Sequence, residues 1–332
     1  MSPPAHLSAT ASRTQPLVWA ALALAVGAVV LAACHKPAPA KSAEMRTPPS
    51  LSPRFYAPDG WTATWLGLPG YAPVRYGVAA PPVGPRATVV IVASVEENAE
   101  VYFETARDLL AKGYTVWILD PAPTPDAGAE AVRSTVLGLV RPQTGDTVIL
   151  AGGRSAVLPI LSAVERGPLP VSGVVLWTPK LSEPLAGQAA DAVRNGQGAS
   201  TPGGEKAWLR PTWDITGRAT LADAWRVANP DLRPGKRPWS WFLAQANAAS
   251  AVTDATRLKA VTAPVLLVND RRDPRAEAAC KALPHCAQAA VEAGDQPPPL
   301  GADGPRNAWL KAFTGFVEDA IAAQHAAPPH GA

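Results

Sequence analysis

Two hydrophobic periods alternate along this chain. Short runs apolar at nearly every position, rich in valine and isoleucine, are followed by stretches in which apolar residues recur every three or four. The first pattern is that of strands buried on both faces, and the second that of helices covered on one side. Read this way, 87–93 (ATVVIVA) is a strand, 99–112 a helix, and 114–119 (YTVWIL) a strand ending at Asp120. A proline-broken loop leads to a helix over 127–140, a strand over 146–151, a helix over 156–166 and a strand over 171–178. Regular strand–helix alternation predicts an α/β fold, a mostly parallel sheet flanked by helices.

The alternation then stops for about 60 residues, 179–237, where Gly and Pro breakers separate short amphipathic pieces. It resumes with a strand over 263–269, a helix over 275–283, a strand over 288–291 and a closing helix over 307–323. An interruption of that length is too long for a simple connection. It predicts a helical cap, about 179–240, over the strand ends where open α/β sheets place their sites. Trp208, Trp213, Trp225, Trp239 and Trp241 lie in or beside it. They are candidates to line an apolar groove or a docking face, the alternative being the cap's own core.

Outside this domain the composition changes. Arg13 precedes an Ala-rich apolar run over 16–34, short for a spanning helix and ending in small residues, which reads as an export signal over 1–33. Its end, LAAC (31–34), resembles the bacterial lipobox, which implies lipidation of Cys34; an uncleaved membrane anchor is the alternative. His35 stands where aspartate would signal retention in the inner membrane, so the outer membrane is favoured, with the domain on the periplasmic side. Residues 34–54 are rich in proline and poor in large apolar groups, as an extended tether is. The domain proper is expected over 55–325, with 326–332 read as a disordered tail.

The net charge of +3 gathers into no basic stripe, which excludes nucleic acid as a partner. Cys280 and Cys286, in CKALPHC, fit a disulfide in an exported chain. With His285 they fall short of a metal site, and no cofactor is expected.

Candidate chemistry lies at 148–156 (VILAGGRSA), a strand, a glycine turn and the start of a helix. In hydrolases such a junction carries Gly-x-Ser-x-Gly, the serine raised on a sharp turn. The element order, with a cap after the strand that follows this turn, resembles the α/β-hydrolases. FYAPDG (55–60), YFETARDLLAKGYTVWILD (102–120), GVVLWTP (173–179) and ANPDLRPGKRPWSWFLAQA (228–246) resemble the bacterial monoacylglycerol lipase and lysophospholipase-like group. The resemblance implies a serine ester hydrolase, yet each catalytic motif departs from it. Laying 148–150 on the group's strand puts Gly153 at the nucleophile position, whose strained backbone glycine adopts freely. A rival frame makes Ser155 the nucleophile. The oxyanion loop, His-Gly in the group, reads Ala93-Ser94, followed by two acids, Glu96 and Glu97, read as solvated. Asp270 and Asp273 stand where the acid belongs, Asp273 the better candidate. The base loop, 293–300, holds three prolines and no histidine. A serine without a base is a weak nucleophile.

The reading is therefore a lipid-anchored envelope protein whose hydrolase domain has lost catalysis and binds a lipid-like molecule or a protein partner. The alternatives are an active ester hydrolase using Ser155 and an assembly factor of an envelope complex.

Overall fold

The computed structural model describes residues 42–269, 273–292, 294 and 296–326. Cys34, the export segment, Asp270, Asp295 and residues 327–332 lie outside the described residues. One sheet of eight strands organises the fold: β1 (Thr62–Leu68), β2 (Tyr71–Ala79), β3 (Ala87–Val92), β4 (Tyr114–Leu119), β5 (Val148–Gly153), β6 (Gly173–Trp177), β7 (Val265–Asn269) and β8 (Cys286–Ala290). They lie in the order β1-β2-β4-β3-β5-β6-β7-β8. From β4 to β8 the neighbours are parallel, while β2 pairs antiparallel with both β1 and β4.

The apolar runs are buried on both faces because successive side chains of a strand point to opposite sides. In β3, Val89 and Ile91 enter one core with Phe103, Trp177, Trp309 and Phe313. Val90 and Val92 enter the other with Val132, Leu158, Leu161 and Val252. Helices α1 (Phe103–Ala111), α2 (Pro125–Ser134), α3 (Val157–Glu165), α8 (Pro274–Ala282) and α9 (Asp303–Ala326) cover the sheet. The helix expected over 127–140 is two pieces: α2, capped by the Thr124 hydroxyl, then a π-helical turn over 135–140.

Two strands escaped the sequence pattern. β1 is an edge strand and mostly exposed, and Gly67, Pro73 and Gly77 interrupt both runs, so neither carries an apolar stretch to detect. The insertion folds as helices α4 (Ala186–Arg194), α5 (Leu221–Ala228) and α6 (Trp239–Val252), with the short α7 (Ala255–Leu258) after them. α6 runs past the expected boundary and sends Ala249 and Val252 into the second core. Residues 43–54, expected as free tether, pack on the domain. Leu51 is buried, and the Asn229 amide both accepts from the Arg46 N–H (2.7 Å) and donates to the Arg46 carbonyl (2.9 Å). Among the described residues no helix is long and apolar enough to cross a membrane.

Candidate functional site

β5, an interior strand of the sheet, delivers the glycine turn at its C-terminal end. Gly153 is ordinary extended backbone (φ −128°, ψ 172°), and the left-handed conformation falls on the next residue, Arg154, at φ +52°. A single helical turn over 154–156 and α3 follow at once. The tip of this strand-to-helix turn, where a hydrolase raises its nucleophile, is thus occupied by Arg154 and not by Gly153 or Ser155.

Gly153 is glycine for another reason. A Cβ there would stand 2.0 Å from Trp177 Nε1 and 2.2 Å from its Cδ1. Trp177, at the end of β6, is fully buried and packs edge-to-face on Trp309 at 5.3 Å. Two residues either side of the tip, Gly152 and Ala156 approach so closely that a Cβ on Gly152 would lie 3.1 Å from that of Ala156. The pattern in register is Gly152-x-Arg154-x-Ala156, and the four-residue spacing of its two small residues was the signal available in the sequence.

Ser155 sits in the first helical turn, buried, with its hydroxyl turned toward the loop after β3. Its Oγ bonds Ser94 Oγ at 2.8 Å and accepts the Val95 N–H at 3.1 Å. The Ser94 N–H donates to Glu97 Oε2 (3.0 Å), and the Ala93 N–H to the Leu119 carbonyl. The amides of Ala93, Ser94 and Val95 are therefore taken by the protein's own oxygens. Glu97 is not the solvated acid expected: it is buried, and the Tyr102 hydroxyl donates to it at 2.6 Å. Burial raises its carboxyl above the ordinary range, against the two hydrogen bonds it accepts. Glu96 does reach solvent, and it pairs with Arg154 at 2.5 Å.

Asp273 is the N-cap of α8, its carboxylate accepting the Arg275 N–H at 2.9 Å. It faces an open cleft of about 460 Å³ whose polar walls are Arg154, Thr178, Lys180, Arg275 and Gln296. The structure thus brings the tip, the acid position and the proline loop to one cleft, but lines it with no histidine among the described residues. Pro298, Pro299 and Leu300 are buried in a single helical turn. No group of three His, Cys, Asp or Glu among the described residues could hold a metal ion.

Sequence reasoning missed a second polar cluster beneath the cap. Arg75, on the undetected β2, forks to both oxygens of Glu100 (2.7 and 2.8 Å) and bonds Asp120 at 2.6 Å and the Ala43 carbonyl at 3.0 Å. Burial raises the Asp120 carboxyl, Arg75 opposing it, while its acidic partners raise Arg75 against desolvation by burial. The five cap-region tryptophans stand in different surroundings. Trp225 is buried against Phe103, Trp208 lies under Arg233, Trp239 and Trp241 pack on Phe242, and Trp213 is exposed. Cys280 and Cys286 are joined in a disulfide.

No protein-family model matches the sequence, and no curated protein matches it. The fold does have solved counterparts. A thermostable carboxyl esterase from Bacillus coagulans superposes with a TM-score of 0.60 at 13% identity, over 80% of this chain and 100% of that one. A soluble variant of monoglyceride lipase from Saccharomyces cerevisiae gives 0.55 at 13% identity, over 78% and 94%. Paleococcus ferrophilus monoacylglycerol lipase gives 0.52 at 17% identity, over 75% and 98%. At such identities the likeness establishes the α/β-hydrolase fold.

Proposed function

We propose that this chain is a pseudo-hydrolase, an α/β-hydrolase fold kept for binding. The observation that carries the reading is Arg154 at the tip of the elbow. A guanidinium is always protonated and has no lone pair to offer a carbonyl carbon. Two further features support it. Ser155 fills the place beside the Val95 N–H where a substrate oxyanion would have to sit, and the described walls of the cleft supply no histidine to act as its base. Lipidation at Cys34 would hold the domain at the periplasmic face of the outer membrane, where a lipid-like molecule or an envelope protein would be its partner. The esterase and lipase counterparts speak for the rival reading, ester hydrolysis by Ser155.

A fluorophosphonate probe separates the two. The expected result is no stoichiometric label; labelling abolished by Ser155→Ala would overturn the proposal.

A further inference from the structure

We infer that the cleft at the elbow is a receptor for a small organic anion, a carboxylate or a phosphate monoester, held chiefly by the Arg154 guanidinium. The inference rests on the pseudo-hydrolase reading and names the ligand class of that same site.

Charge is the first argument. Among the described lining residues, three cations, Arg154, Lys180 and Arg275, face one carboxylate, Asp273. Asp273 is also committed to capping α8. Two other described acids, outside that lining, reach two of these cations. Glu96 holds Arg154 through Nη2, and Glu183, itself buried, reaches Lys180 at 3.4 Å. The Arg154–Glu96 pair has both side chains substantially in water, 37% and 49% exposed, where such a pair contributes at most about 1 kcal/mol. It orients the guanidinium without committing it, and an incoming anion can take Glu96's place.

Backbone strain is the second and independent argument. Three non-glycine residues among those described have positive φ, and two of them, Arg154 (+52°) and Thr178 (+38°), line this cleft. A left-handed conformation is costly for a side chain other than Gly, Asn or Asp, and such residues concentrate where a protein binds or reacts. The geometry is also pinned: the Lys180 N–H donates to the Arg154 carbonyl at 3.0 Å, tying the elbow to the loop that leads into the cap. An idle turn would relax to glycine, whereas this one spends its least favourable backbone position on a long cation.

Shape supplies the third. A cleft of about 460 Å³ falls within the range of small-molecule sites. Thr178, Ser182 and Gln296 add neutral hydrogen-bonding groups, and Pro179, Leu181 and Pro297 an apolar side. That combination suits an anionic head on a short apolar or hydroxylated body. Arginine's planar fork matches the oxygens of a carboxylate and a phosphate alike.

The test is titration calorimetry of the purified protein at low salt with inorganic phosphate, glycerol 3-phosphate and hexanoate. Saturable binding of at least one is expected, weakening as salt rises. Arg154→Gln should weaken it about tenfold or more, roughly 1.4 kcal/mol or greater, with the melting temperature within a few degrees. Lys180→Gln with Arg275→Gln, which leaves the elbow untouched, should weaken it too, and decides the matter should Arg154→Gln fail to fold. Preference for the phosphates or for hexanoate identifies the head group. No saturable binding by any of the three, or equal affinity in these variants, would overturn the inference. Such a failure leaves the pseudo-hydrolase reading standing when the fluorophosphonate probe gives no label. Labelling at Ser155 with anion binding intact would instead remove that reading and keep the site.

Discussion

Replacing Gly153 by alanine tests the packing beside the elbow through one methyl group. The new Cβ would meet Trp177 at 2.0, 2.2 and 2.6 Å, all three atoms belonging to an indole with no exposed surface. Trp177 has little room to retreat, because the Trp309 and Tyr102 rings pack on it edge-to-face with centroids 5.3 and 6.2 Å away. Overpacking of this kind costs about 1–3 kcal/mol. Alanine at φ −128° carries no backbone penalty and stiffens the unfolded chain, which returns about 0.4–1 kcal/mol. The net loss is about 1–2 kcal/mol, a fall in melting temperature of about 2–6 °C for a domain of this size. Thermal unfolding followed by near-ultraviolet circular dichroism reads both the stability and the packing of the buried tryptophans. Gly187→Ala is the control: nothing lies within 4 Å of its Cβ in α4, so it should gain about 0.5 kcal/mol. If Gly153→Ala proved neutral or stabilising like the control, the indole wedge would be absent and the close approach of Trp177 would no longer explain glycine at 153.

Four further outcomes are expected. Glu97→Gln removes a carboxyl that burial raises above its ordinary value of 4.5; its contribution is complete below that value and lost as pH rises through the folded pKa. Urea titrations from pH 4 to 8 should therefore show the variant gaining on the wild type with pH, at no more than about 1.4 kcal/mol per pH unit; a gap that closes with pH would contradict the burial argument. Asp273→Ala should cost about 0.5–2 kcal/mol through loss of the α8 cap, measured by thermal unfolding. The double change of Cys280 and Cys286 to alanine opens a short loop and should cost about 2 kcal/mol, with faster amide exchange in β8. Asn229→Ala breaks both bonds to the Arg46 backbone and should expose 43–50 to limited proteolysis before the rest of the domain opens, against about 1–3 kcal/mol of lost stability.

The sequence by itself determined what local pattern can carry. Apolar runs at β3, β4, β5, β6 and β7 announced a sheet buried on both faces, and the break over 179–237 announced the cap, because strand burial and helix amphipathicity repeat within a few residues. The absence of histidine from the base loop was equally plain, being a matter of residue identity. Tertiary structure alone decided the rest. That Arg154 rather than Gly153 holds the tip depends on one backbone angle, and that Gly153 must lack a side chain depends on an indole 24 positions later in the chain. Glu97 reads as a solvated loop acid until Tyr102 and the Ser94 amide fold over it. Arg75 sits in a strand too broken by glycine and proline to be seen, yet it gathers Glu100, Asp120 and the Ala43 carbonyl from three separate stretches. Packing and polar satisfaction join residues remote in sequence, and no period along the chain records them.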